Sequence, residues 1–166
     1  MTLREHLKND LLILDGGMGT LLQARGLAPG EQPERWNISH PEVITEIHKS
    51  YFDAGSNIVC TNTFGANLLK FPEEELRNII SAAVQNAKAA REQSTSPKDK
   101  FIALDIGPSG KLLKPLGDFD FEDAVSLFAH TVRLGTECGV DLILIETMND
   151  SYETKAALLA AKENCA

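Results

Sequence analysis

Acidic, amide and hydroxyl side chains recur at one kind of place in this 166-residue chain, the point where a short apolar run ends. Leu11–Leu14 runs into Asp15, Gly16 and Gly17. Asn57–Cys60 runs into Thr61, Asn62 and Thr63, Phe101–Leu104 into Asp105, and Val140–Ile145 into Glu146 and Thr147. Carboxylates with an amide and hydroxyls between them suit a small polar ligand that carries an ammonium group. The paired glycines would let backbone N–H groups come close, which suits a ligand carboxylate. An amino acid has both groups. Taken singly, each feature has a plainer explanation. Aspartate before glycine is equally a turn or a helix cap, and Asn62 between two threonines could satisfy loop backbone. Glu146 is harder to explain that way, because an unpaired carboxylate at the end of a central strand is costly.

The elements that position these residues follow from periodicity. Runs this short and rich in Ile, Leu and Val, without polar alternation, predict strands covered on both faces. Between them the apolar spacing is helical. Ser39-His40-Pro41-Glu42 resembles a capping box opening a helix that ends near Gly55. Further helices are predicted from Glu73 to about Glu92, from Phe121 to about Cys138 with Gly139 as the stop, and from Asp150-x-x-Glu153 to about Asn164. Gln93–Lys100 is a polar surface loop. Strand and helix alternating in this way predict right-handed βαβ units on a parallel sheet, where ligands sit at the carboxyl ends of the strands. The longest loop, Gly16 to Asn37, follows the first strand, and long loops in compact domains are often functional.

Composition narrows the classes. With 24 acidic and 16 basic residues, a net charge of −8 and no basic run, the chain is expected to bind neither nucleic acid nor an anionic membrane. No apolar run approaches the ~18 residues of a membrane span, and the N-terminus has no signal-peptide core. Cys60, Cys138 and Cys165 are sparse and unpaired in spacing, which suits a reducing compartment and a cytoplasmic location. Cys60 reads as core. His6, His40, His48 and His130 form no metal-ligand pattern, and His48 and His130 read as surface or packing residues. DGGMGT lacks the spacing of a nucleotide fingerprint, and Gly107–Lys111 lacks that of a P-loop. Trp36 either lines the mouth of a pocket or anchors its loop.

Asp15-Gly16-Gly17-Met18-Gly19-Thr20, the Trp36-Asn37 and His40-Pro41 pairs and Thr61-Asn62-Thr63-Phe64-Gly65-Ala66 together resemble the homocysteine S-methyltransferase family. GPSGKLLKPLGD (107–118) and IETMNDSYETKAALLAAKEN (145–164) are most similar to one branch, the homocysteine-binding module of the cobalamin-dependent methionine synthases. The resemblance implies an α/β fold of about four parallel (β/α) units, with residues 1–166 as the N-terminal half of a homocysteine-binding (β/α)8 TIM barrel, truncated because such a barrel takes ~250 residues. It implies L-homocysteine bound by Asp15, by the backbone of Gly17 and Met18, by Asn62 and by Glu146.

The family's chemistry uses zinc, which holds the homocysteine sulfur as thiolate on three cysteines from the second half of the barrel. The cysteines here do not match those positions, so the resemblance implies neither metal ligands nor catalytic residues in this chain and no methyl transfer by it alone. Methylcobalamin is the implied methyl donor, carried on another domain, with cobalamin-binding and folate-binding domains in the full enzyme. The missing half of the barrel, or a second copy of the chain, would cover the open edges. The alternative is a non-catalytic amino-acid-binding half-barrel module, or a subunit that completes a partner's barrel.

Overall fold

The computed structural model describes residues 2–165, and its order of elements follows the apolar rhythm of the sequence. After a short helix α1 (Leu3–Asn9) and the turn at Asp15 come α2 (Gly19–Ala24), a 3-10 turn (Pro33–Arg35), α3 (Trp36–Ser39) and α4 (Pro41–Ala54). Then β1 (Ile58–Cys60), α5 (Glu73–Gln93), β2 (Phe101–Ile106), α6 (Phe121–Glu137), β3 (Leu142–Ile145) and α7 (Ser151–Asn164) alternate to the end. Left-handed glycines stop two of the helices, Gly55 at φ 106° after α4 and Gly139 at φ 78° after α6.

The three strands form one parallel sheet in the order β1-β2-β3, with Cys60 beside Ala103 and Asp105 beside Leu144. Alternation along the strands divides their side chains between two faces. Val59 and Ile102 pack against Phe52 of α4 and Ala87 and Ala90 of α5. Leu104 and Ile106 pack with Leu76, Ile79 and Ile80 of α5, Phe128 and Val132 of α6 and Ala156, Ala157 and Ala160 of α7. Cys60, Asp105 and Leu144 fall on the opposite face.

Four expectations are corrected. Leu11–Leu14 is not a strand but a single parallel bridge, Leu14 to Ile58. This segment has a neighbour on one side only, and Leu11, Ile13 and Leu14 are 88%, 48% and 44% exposed. Coverage on both faces therefore holds for β2 but not for the margins of the sheet, and all four residues of β3 are half-exposed. The long first loop is half helical, because Leu22, Leu27 and Trp36 pack on Ile44 and Ile47 of α4 and order it. Ser39 forms no capping box. Its hydroxyl donates to Arg35 O at 3.2 Å and lies 2.8 Å from His40 Nδ1, and His40 takes the N-cap position without a side-chain bond.

Among the described residues, no helix is long and apolar enough to cross a membrane. His48 is wholly buried in α4, a packing residue as its position suggested.

Candidate active site

At the carboxyl ends of the strands lies a cavity of about 480 Å3. The turn Asp15–Gly19 forms one wall, Pro33 and Glu34 a second, and Cys60, Thr61, Asn62 and Phe64 a third. Asp105, Leu144 and Glu146 close it from β2 and β3. All five residues singled out as ligand contacts (Asp15, Gly17, Met18, Asn62 and Glu146) line this one space, although 131 positions separate the first from the last. Four carboxyl groups and no Lys, Arg or His are among its lining residues. A cavity with that charge suits a cation.

Asp15 is tied to the strand it borders. Its N–H donates to Ile58 O at 2.9 Å, and its Oδ2 accepts from the Cys60 N–H at 2.8 Å. Burial raises its pKa, and the charge of Glu146 adds to the rise against the Cys60 hydrogen bond. Behind it, Tyr51 of α4 donates its hydroxyl to Gly17 O at 3.0 Å. A Cβ on Gly16 would stand 2.9 Å from that Tyr51 oxygen, so a side chain there would push the tyrosine ring from its place. Burial and the charge of Asp15 raise the Tyr51 pKa.

Asn62 is held by amides and carbonyls. Its Nδ2 donates to Pro33 O at 2.7 Å, and its carbonyl accepts from Asn37 Nδ2 at 2.8 Å. Asn86 of α5 in turn donates to Asn37 O at 3.0 Å. The side chain thus satisfies loop backbone while it lines the cavity. Glu146 lies at the exposed rim, with its N–H donating to Ile106 O at 3.0 Å. Thr147 follows in the left-handed region at φ 53°, an unfavourable conformation for a β-branched residue. The burial cost expected for Glu146 therefore does not arise there, because β3 is marginal in the sheet. It falls on Asp105 instead.

Asp105 is 7% exposed in the central strand. Its peptide is closed in a ring of hydrogen bonds. The Asp105 N–H donates to Thr61 Oγ1 at 3.2 Å, the threonine hydroxyls lie 2.7 Å apart, and Thr63 Oγ1 donates to Asp105 O at 2.8 Å. That ring uses both hydroxyls on backbone. The carboxyl Oδ1 has no hydrogen-bond partner among the described residues. Burial first, then the charges of Glu146, Asp15 and Glu34, push its pKa up to about 8.

Glu34, Tyr51 and Cys60 escaped the sequence reading as site residues. Glu34 is 6% exposed, accepts from the Gly65 N–H at 2.8 Å and lines the cavity. Nothing local in Pro33-Glu34-Arg35 distinguishes it from a surface glutamate. Tyr51 showed only helical spacing. Cys60, read as core, is half-buried and faces the cavity. The alternation of β1 against Val59 was the available signal. Trp36 anchors its loop, since its Nε1 donates to Glu31 at 2.8 Å and its ring stacks on His40 at 4.0 Å.

Among the described residues, no group of three or more His, Cys, Asp or Glu is placed to hold a metal ion. Cys60 is a poor thiolate donor, because burial and the charge of Asp15 hold its pKa far above the ordinary thiol value. These residues do not make a zinc site.

A profile of the homocysteine S-methyltransferase family matches residues 12–166. The methionine synthase of Mycobacterium leprae (strain TN) is 30% identical over 173 residues, which cover 96% of this chain and 14% of that protein. The homocysteine methyltransferase MmuM from Escherichia coli has the same fold. Its oxidized form superposes with a TM-score of 0.83 at 24% identity over 97% of this chain and 61% of that one. The metallated form superposes with a TM-score of 0.79 at 24% identity, over 97% and 62% of the two chains. The chain thus spans a small part of the curated relative and about three fifths of the solved structure.

Proposed function

The chain belongs to the homocysteine S-methyltransferase family, and from that premise we propose that it is the homocysteine-recognition part of an enzyme that methylates homocysteine to methionine. The observation that carries the proposal is the convergence of Asp15 and Glu146, from the two margins of the sheet, on one acidic cavity without a basic side chain. In this reading the two carboxylates take the amino acid's ammonium group. The backbone of Gly17 and Met18 receives its carboxylate, and Asn62, held by Pro33, shapes the wall between them.

Residues 1–166 are, in the same proposal, the N-terminal half of a (β/α)8 barrel domain. The exposure of Leu11, Ile13 and Leu14 along a margin with one neighbour supports completion by further barrel strands or by a second copy of the chain. Zinc, methylcobalamin and the cobalamin-binding and folate-binding domains belong to parts of a cytoplasmic enzyme outside these residues, and the chain alone transfers no methyl group. The same exposed margin favours the second reading, a non-catalytic amino-acid-binding half barrel or a subunit that completes a partner's barrel.

Calorimetric titration of the purified chain with L-homocysteine, with and without zinc, tests the site. Zinc-independent binding, weakened roughly 10- to 100-fold by Asp15→Ala or Glu146→Ala as expected for loss of a charge-assisted hydrogen bond, supports it. No binding by a folded chain, or affinity unmoved in both variants, would refute this placement.

A further inference from the structure

Asp105 is a buried carboxyl group of this cavity to which the proposed contacts give no role. It is 7% exposed, and its Oδ1 lacks a partner among the described residues. The neighbouring hydroxyls of Thr61 and Thr63 are committed to its own peptide. The titratable groups that share the cavity with it are Asp15 from the turn, Glu34 from the 3-10 turn, Cys60 from β1 and Glu146 just after β3. Tyr51 stands behind Asp15, and among the described residues no Lys, Arg or His lines the cavity. An unpartnered buried polar group is costly, and Asp105 is among the residues that line a space large enough for a ligand.

Resting on the amino-acid site proposed above, we infer that Asp105 is a third, specificity-determining carboxyl group of that site. It stands in the ligand-free protein as the neutral acid, releases its proton when the ligand's ammonium group arrives, and then accepts a hydrogen bond from that ammonium.

The physical argument is one of charge. Without a cation, a fourth negative charge beside Asp15, Glu34 and Glu146 is unfavourable, and burial with those charges pushes the Asp105 pKa up to about 8. A cation at hydrogen-bond distance favours the ionised form and brings the carboxyl back towards its ordinary range. Near neutral pH the bound state then holds one proton fewer. The O–H bond of the Asp105 carboxyl breaks, the proton passes to the buffer, and the ammonium keeps its three hydrogens. A ligand without an ammonium group cannot draw out this charge. Asp105 therefore selects amines over the corresponding hydroxy acids, and it couples binding to pH.

The test is calorimetric titration of the full chain with L-methionine, which keeps both charged groups of L-homocysteine but has no thiol to ionise. Measured in phosphate and in Tris at pH 7, the heats are expected to report nearly one proton released per amino acid bound. The association constant is expected to rise about tenfold between pH 6 and pH 7. Asp105→Asn, checked for folding by thermal melting, is expected to release no proton, to bind with the same affinity from pH 6 to pH 8, and to bind at least tenfold more weakly at pH 8. Buffer-independent binding by the unsubstituted chain overturns the inference and leaves the amino-acid site standing. Proton release that persists in Asp105→Asn also overturns it and assigns the proton to Asp15. Failure of a folded chain to bind either amino acid overturns the site and this inference together.

Discussion

Glu153 on α7 and Asp105 on β2 are both almost wholly buried, at 3% and 7% exposure, and both lie near the carboxyl end of the sheet. Around them the chain has built opposite environments. Glu153 Oε1 accepts from the Ser109 N–H at 2.9 Å and from the Ser109 hydroxyl, which itself accepts from the Lys111 N–H at 3.1 Å. The loop after β2 is thereby fastened to α7. Asp105, four residues before Ser109, has an Oδ1 with no donor among the described residues and three other carboxyl groups sharing its cavity. A buried acid supplied with donors holds a loop in place. One left without them shares a cavity with three other carboxyl groups.

Breaking the first environment should have the largest effect on stability. Glu153→Ala would leave the Ser109 N–H and hydroxyl unpaired in the interior, and we expect it to lower the unfolding free energy by about 3 kcal/mol. Glu153→Gln, which keeps one acceptor, should recover more than half of that. Urea denaturation of both variants measures the difference. A loss under about 1 kcal/mol would mean that water replaces the lost acceptor and that the two environments differ less than their geometry says.

The second environment should respond with the opposite sign. The folded-state pKa of Asp105, about 8, lies above its unfolded value of about 3.9. The folded protein therefore holds the extra proton between those limits, and the Asp105 contribution to stability falls as the pH rises from 4 to 8. Asp105→Asn removes the titration. At pH 8 the variant is expected to be more stable than the unsubstituted chain by about 2 kcal/mol, with the difference shrinking towards zero as the pH approaches 4. Equal stability of the two proteins at pH 8 would show that Asp105 is solvated there after all.

His48 sharpens the comparison from another side. It too is fully buried, and neither ring nitrogen has a partner among the described residues, but it is not among the residues lining the acidic cavity. Burial lowers its pKa to about 4, below an unfolded value of about 6.5. Its charge must appear on unfolding, so stability is lost as the pH falls from 6.5 towards 4. His48→Leu is expected to flatten that acid limb by about 1–2 kcal/mol while the affinity for L-homocysteine stays the same. A change in affinity would mean that unpartnered burial in this fold marks the ligand site even away from the cavity.

Much of this molecule was legible before its structure. The helices α4 to α7 follow from apolar residues at helical spacing, and Gly55 and Gly139 end two of them where left-handed backbone is needed. Asp15, Asn62, Asp105 and Glu146 could be picked out because each ends an apolar run, and in a parallel sheet such ends share one side. Those signals are local, carried by residues a few positions apart, and a single sequence contains them in full. The family motifs are local in the same sense.

Solvation and partnership are not local, and here only the tertiary structure decided. Leu11–Leu14 and Phe101–Leu104 look alike as sequence, yet one is a lone bridge at an exposed margin and the other lies in the buried centre of the sheet. That placement, set by which strands pair, moved the cost of a buried carboxyl from Glu146 to Asp105. It also turned Cys60 towards the cavity, brought Tyr51 against Gly16 and placed Glu34 across from β2. The chemical types of the acids were written in the chain. The rise in the Asp105 pKa depended on neighbours dozens of residues away, because a carboxyl group's ionisation is governed by the water, charges and donors that the folded chain leaves around it.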